Sequence, residues 1–377
     1  MRLFSDASAS ISDPHLRRAF LLAERGRGTT APNPMVGCVI VHEGEVVGEG
    51  FHERAGDPHA EVRALEAAGE RARGSTVYVT LEPCAHHGRT PPCTDALRAA
   101  GVGAVIIGTP DTTVEAAGGA EVLRAAGIAV SFAEDPAPFE ELNEAWLARS
   151  TTGLPWVHVK VATTLDGKVS LAEGVRTAIS GPESARITMR LRAAADAVCV
   201  GARTAAIDDP ALTVRDADGR DVERQPLRIV LARDTVDLTP RLFTDARGPV
   251  AVVCHEGALT ERLPAEVDLI EYPRADGIRG ALSAIAAAGV DRLFIEPGPR
   301  LFTALWDEGL VDEFVHVQAG GLGGTDAPGM YNGVRIGTDA TLLDAARPLE
   351  SGVAGDDVVT VWRPLRGRVA SPRKEGR

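Results

Sequence analysis

His59-Ala60-Glu61, Pro83-Cys84 and Cys93 are the residues of this chain best equipped to do chemistry together. One imidazole and two thiolates supply three zinc ligands and leave the fourth corner of a tetrahedral ion open, as a catalytic site requires. The carboxylate two residues after the histidine is not needed to hold an ion. It is the group that carries a proton in zinc-dependent hydrolytic deamination, from water to departing ammonia. Each residue alone has a plainer explanation, since a buried cysteine is usually a small core hydrophobe and a glutamate a surface charge. The four together point to deamination of a small aminated heterocycle at an amidine-like ring carbon.

Local sequence says how these groups would be positioned. Asp57-Pro58 reads as a helix N-cap and first-turn proline, opening a helix through Glu61, Val62, Leu65 and Ala68. Thr76-Val77-Tyr78-Val79-Thr80-Leu81 alternates and is rich in β-branched residues, so it predicts a strand whose end delivers Glu82-Pro83-Cys84. Pro91-Pro92 opens another helix with Cys93 in its first turn, where backbone N–H groups favour a thiolate. Two helix starts and one strand end are therefore expected to meet at a point.

Eight residues, Ala85 to Pro92, separate the two cysteines, where nucleic-acid and free-nucleoside deaminases have two. With Thr30-Ala31-Pro32-Asn33-Pro34-Met35-Val36-Gly37 upstream, this half resembles the deaminase of the bifunctional RibD/RibG riboflavin-pathway family. The resemblance implies zinc ligation by His59, Cys84 and Cys93, with Glu61 as proton donor. It also implies that Asn33, His86 and Arg89 lie beside the substrate, Arg89 meeting its phosphate. That substrate would be a diaminopyrimidinone ribosylamine 5′-phosphate, losing its 2-amino group.

Lys160-Val161-Ala162-Thr163-Thr164-Leu165-Asp166-Gly167-Lys168 and the segment from Thr204 through Asp208-Asp209-Pro210 to Arg215 resemble the reductase half of the same family. That half has a dihydrofolate-reductase-like fold and uses NADPH to reduce the ribosyl group to a ribityl chain. The resemblance implies polar active-site groups at Lys160, Asp208 and Glu296. Cofactor contacts are implied at Ala162, Thr204, Asp208, Gly298, Pro299, Arg300, Leu301, Phe302, Thr303 and Ala304, and substrate contacts at Arg192, Leu212 and Arg215. Read from the residues alone, Glu296-Pro297-Gly298-Pro299 is a turn from a strand into a helix start, which suits a cofactor phosphate. By itself this signal is weak, because no Gly-x-Gly-x-x-Gly follows the first strand.

The chain departs from the family pattern at several places. Ala178-Ile179-Ser180 stands where the family has Trp-Ile-Thr, and Arg176 replaces a small polar residue. Pro297 deletes an N–H from the Gly-rich turn. Asp111-Thr112-Thr113-Val114 replaces Asp-Pro-Asn-Pro, removing an amide from the phosphate side. These differences motivate a second reading, a paralogue that keeps the deaminase while its reductase half is inactive or retuned. A third, a non-catalytic interaction protein on an enzyme scaffold, is opposed by Glu61, which has no purpose in merely holding a metal.

With 377 residues the chain is long enough for two domains. The net charge of −13, from 40 basic and 53 acidic residues, argues against a partner made of nucleic acid and for small-molecule partners. Cys38, Cys199 and Cys254 sit in apolar runs and read as core. No disulfide framework, signal peptide or membrane-length apolar run is evident, so a cytoplasmic homo-oligomer is expected.

The organisation predicted is α/β throughout: a cytidine-deaminase-like α/β/α layer domain over residues 1–149, a dihydrofolate-reductase-like α/β domain over 155–365, and a disordered tail from 366 to 377. The first has a helix from Asp13, a hairpin at 37–41 and 46–51, a strand at 104–107 and a helix at 139–148, ending in a linker at 150–155. The second has strands at 157–162, 197–200, 227–232, 250–253 and 292–295, with helices at 183–194, 280–288 and 299–308.

Overall fold

The computed structural model describes residues 2–86, 91–113, 118–259, 262–333 and 345–365, and the chain divides into two units between Thr152 and Gly153. In the first unit the order is α1 (Pro14–Glu24), β1 (Gly37–His42), β2 (Glu45–Phe51), α2 (Ala60–Ala68), β3 (Thr76–Leu81), α3 (Cys93–Ala100), β4 (Ala104–Thr109), α4 (Gly119–Ala125), β5 (Ala129–Phe132), α5 (Ala137–Leu142) and α6 (Glu144–Thr152). The five strands lie in the order β2-β1-β3-β4-β5; β1 is antiparallel to β2 and β3, while β3, β4 and β5 run parallel.

β1 shows why this sheet is a middle layer. Cys38, Val39 and Ile40 are all fully buried, which requires cover on both faces. Cys38 and Ile40 pack with Ala60, Ala64, Val79, Leu97 and Leu123, from α2, β3, α3 and α4. Val39 and Val41 pack with Ala19 of α1, whose Leu16 and Phe20 join Phe139 and Leu142 of α5 in a second cluster. The result is an α/β/α sandwich, and small residues set how closely its layers approach. A Cβ on Gly50 of β2 would stand 2.5 Å from the Ala60 carbonyl oxygen, so α2 rests directly on that strand.

Three expectations are corrected in this unit. α2 starts at Ala60 with His59 as its N-cap, not at Asp57, because residues 54–57 close a turn (Asp57 N to Arg54 O, 3.1 Å) and the backbone at His59 is still extended. The single helix predicted at 139–148 is two helices, α5 and α6, parted at Asn143. The Asn143 amide accepts from Met35 N at 2.8 Å and donates to Met35 O at 2.9 Å. α6 continues through Thr152 into the predicted linker, with the Thr151 and Thr152 hydroxyls donating to carbonyls one turn back.

The second unit holds β6 (Trp156–Thr163), α7 (Pro182–Ala193), β7 (Ala197–Gly201), α8 (Ala202–Asp208), β8 (Leu227–Leu231), β9 (Val250–His255), β10 (Val267–Tyr272), α9 (Gly277–Ala287), β11 (Arg292–Ile295), α10 (Pro299–Asp307), β12 (Glu313–Gln318), β13 (Ala346–Ala354) and β14 (Asp357–Pro364). They make a nine-stranded sheet ordered β10-β9-β8-β7-β11-β6-β12-β14-β13. Strands β10 to β12 of that order are parallel, and β14 and β13 add an antiparallel edge. Val157, Val159 and Val161 of β6 pack on one face with Ile285 of α9 and Phe302 and Leu305 of α10. All five predicted strands and all three predicted helices are present. The sequence reading missed β5, α8, β10, β12, β13 and β14.

β8 carries a fully buried cation. The Arg228 side chain is 0% exposed and bonds Asp245 at 2.8 Å, Gly248 O at 2.7 Å and Ala211 O at 3.2 Å, tying two loops to the strand. Removing one partner of a buried pair strands the other, so Arg228→Ala should lower stability by about 3 kcal/mol, read by urea unfolding followed by a probe in the second unit. The tail predicted from residue 366 lies outside the described residues. No described helix is long and apolar enough to cross a membrane.

Candidate functional site

In the first unit, α2, the end of β3 and the start of α3 bring three ligand atoms together. His59 Nδ1 lies 3.2 Å from Cys93 Sγ and 3.7 Å from Cys84 Sγ, and all three atoms fall within 4.8 Å of one another. Zinc bonds of about 2.3 Å to sulfur and 2.0 Å to nitrogen put tetrahedral ligand atoms about 3.5 Å apart, so the donor set and its spacing fit the ion. Among the described residues this is the one cluster of His, Cys, Asp or Glu with metal-ligand spacing. Glu61, in the first turn of α2, is 3% exposed beside it.

The two thiols differ in their surroundings. A hydrogen bond from the Cys93 thiol to the Cys84 sulfur comes first in holding Cys84 down to about 4 and in raising Cys93. The backbone N–H of Cys93, first in α3, donates to Cys84 Sγ at 3.3 Å. The helix start predicted to assist Cys93 thus assists its neighbour instead. Burial, then the Cys84 charge, raises the Glu61 carboxyl.

Supporting groups that the sequence reading missed fix this geometry. Asn33 Nδ2 donates to His52 Nε2 at 3.0 Å, while His52 Nδ1 lies 3.3 Å from Pro58 O and its ring packs edge-on against His59. Glu82, next to the Pro83-Cys84 pair, accepts from Asp111 N at 3.0 Å and Ala120 N at 2.7 Å, locking the cysteine turn to β4 and α4. His86 is exposed on the following loop; Arg89 and Val114 lie outside the described residues.

In the second unit a charged cluster forms on the sheet opposite the β6 valines. Glu296, one residue past β11, is level with Lys160 of β6 by register. It accepts two bonds from Arg192 of α7, each 2.7 Å, and Arg192 also donates to Thr213 O at 3.0 Å. Burial lowers Lys160, opposed by the charges of Glu296 and Asp357. Burial raises Asp208, at the end of α8, with Arg176 opposing and Glu296 adding. Lys160, Arg192, Asp208 and Glu296 are therefore brought together. Arg176, one of the departures, adds a cation facing Asp208.

The turns after β7 and β11 open side by side, because those strands pair, and each leads straight into a helix N-terminus. A Cβ on Gly298, the N-cap of α10, would lie 3.0 Å from Thr204 Oγ1, so the two turns approach closely here. Helix starts have free N–H groups facing outward, which suits a dinucleotide phosphate. Ala162 shares the Lys160 face of β6. Leu212 is buried with φ of 54°, and Arg215 is exposed and bridged to Asp221.

Fold and site together define a zinc-dependent deaminase unit of the cytidine-deaminase type joined to a dihydrofolate-reductase-like, NADPH-dependent reductase unit. The family profile of the cytidine and deoxycytidylate deaminase zinc-binding region matches residues 10–109, and that of the RibD C-terminal domain matches residues 155–353. The chain is 41% identical to the riboflavin biosynthesis protein RibD of Escherichia coli K12, over 84% of this chain and 89% of that one. It is similar to the solved RibD of Acinetobacter baumannii, with TM-score 0.83, 36% identity, and 93% and 98% of the two chains covered. The corresponding values for a deaminase/reductase from Thermotoga maritima are 0.80, 30%, 93% and 97%. The chain belongs to the RibD family of bifunctional riboflavin biosynthesis enzymes, with zinc and NADPH as cofactors.

Proposed function

We propose that the enzyme deaminates 2,5-diamino-6-ribosylamino-4(3H)-pyrimidinone 5′-phosphate and then reduces the ribosyl group of the product to ribityl. The Thermotoga maritima relative is described as a diaminohydroxyphosphoribosylaminopyrimidine deaminase and 5-amino-6-(5-phosphoribosylamino)uracil reductase, which supports these substrates. The observation that carries the reading is the His59, Cys84 and Cys93 cluster with buried Glu61 beside it.

When bound by those three ligands, zinc supplies Lewis acidity at its open position. Glu61 takes the proton of the attacking water and returns it to the leaving nitrogen; a C–O bond forms, the C–N bond breaks and ammonia departs. Asn33, its amide bonded to His52, and His86 would contact the substrate, and Arg89 would meet its phosphate. In the reductase NADPH supplies the hydride for the sugar C1′. Lys160 donates a proton to the ring oxygen released at that carbon, and Glu296 fixes Arg192. Arg192, Leu212 and Arg215 hold the substrate. Ala162, Thr204, Asp208 and residues 298–304 line the cofactor.

A cytoplasmic location and a homo-oligomeric state belong to the same reading. The first is supported by five free cysteines. Chelation should abolish ammonia release, and added zinc should restore it. NADPH oxidation with the deaminated substrate should persist throughout, and loss of both activities on chelation would contradict the separation of sites.

A further inference from the structure

We propose that Gln225 is a positioning residue of the reductase, setting where Arg215 meets the substrate. This deepens the reading of Arg215 as a substrate contact and rests on it. Arg215 is exposed, and among the described residues no carboxylate forms an ion pair with it. Asp221, opposite it in an isolated bridge, gives its two oxygens to Arg247 at 2.5 Å each. The Arg215 guanidinium is left free to meet the substrate's phosphate.

The residue before Arg215 is held by a side chain. Val214 lies in no named strand, yet both of its backbone groups are paired. Its N–H donates to Gln225 Oε1 at 2.7 Å, and its carbonyl accepts from Gln225 Nε2 at 2.9 Å. The same Nε2 donates to Val222 O at 2.8 Å, and Val222 N donates to Val214 O at 3.2 Å. Only one orientation of the amide satisfies all three groups, with its oxygen toward the N–H and its nitrogen toward the two carbonyls. One side chain does for Val214 what a neighbouring strand would, and it closes the base of the turn over residues 214–222.

The stretch before Arg215 needs such support. Leu212 is buried at φ 54°, a left-handed backbone that persists only where the surroundings over-determine it. Arg228 holds Ala211 O, Arg192 holds Thr213 O and Gln225 holds Val214. Of these three, Gln225 acts nearest to Arg215. Gly248 packs against it closely, since a Cβ there would lie 2.9 Å from Gln225 Cβ. Val214 is buried and Arg215 exposed, so a displacement of the first passes directly to the stem of the second.

The test uses the full-length, zinc-replete enzyme as wild type, Gln225→Glu, Gln225→Met, Arg215→Ala and the double variant Gln225→Glu with Arg215→Ala. KM and kcat for the deaminated substrate, KM for NADPH and the rate of ammonia release are measured on each. Glutamate keeps the shape but sets an oxygen against Val214 O and Val222 O. Methionine removes all three bonds without adding a charge. Each should raise KM for the deaminated substrate about 10-fold, with kcat, KM for NADPH and ammonia release within about twofold of wild type. In the Arg215→Ala background, Gln225→Glu should raise KM no further, because the two residues act through one contact. An unchanged KM in both Gln225 variants, equal losses for NADPH and the deaminated substrate, or effects that multiply in the double variant overturn the proposal and leave Gln225 a fastening of the loop. A wild-type KM in Arg215→Ala would instead overturn the reading of Arg215.

Discussion

Glu61→Gln should lower ammonia release by about 10³-fold or more, while zinc content and NADPH oxidation with the deaminated substrate stay at wild-type levels. The carboxylate stands outside the proposed ligand set of His59, Cys84 and Cys93, whose donor atoms lie within 4.8 Å of one another. A glutamine of the same shape fills the same buried place but cannot carry a proton between water and the leaving amine. Zinc by elemental analysis, ammonia by a coupled assay and NADPH by absorbance separate the three quantities. Loss of zinc in this variant would show Glu61 to be structural.

Lys160→Met should do the reverse. Methionine keeps much of the stem that runs along β6 and removes the cation. NADPH oxidation should fall by about 10²–10⁴-fold with ammonia release intact. Because Arg192 remains paired with Glu296 at 2.7 Å, the cluster retains a charge balance and the sheet should survive. Equal thermal stability of the two proteins, with NADPH turnover lost, would assign the effect to chemistry. A variant that still oxidises NADPH with the deaminated substrate would remove Lys160 from the mechanism.

The zinc cluster was legible because each member is tied to a local signal. His59 and Cys93 sit at helix starts, Cys84 at the end of an alternating strand, and short spacing makes the three a unit. Even there the cap was misassigned to Asp57, since a turn over residues 54–57 and a proline at 58 imitate a helix opening. His52, Glu82 and Asn143 were not legible as support, because their partners are backbone groups or side chains brought near only by the tertiary fold.

The reductase half was harder to read for the same physical reason. Lys160, Arg192, Asp208 and Glu296 come from four separate elements, and resemblance rather than spacing singled them out. Asp357 begins a strand in an edge hairpin whose Pro348, Pro364, Val353 and Val358 break the alternation that reveals a half-buried strand. Neither its burial nor its bond to Gly181 leaves a mark in the sequence. The buried strands β7, β8, β9 and β11 were found because they are short, largely apolar runs, as a parallel sheet covered on both faces demands, and β6 because Val157, Val159 and Val161 alternate with His158 and Lys160.

The most direct test of two chemistries acting in order is a single time course with the diaminopyrimidinone ribosylamine phosphate, zinc-replete enzyme and NADPH. Ammonia and NADPH are followed together. One ammonia released and one NADPH oxidised per substrate, with ammonia leading, is the result predicted. NADPH loss that precedes ammonia, or ammonia release with NADPH untouched, would contradict it.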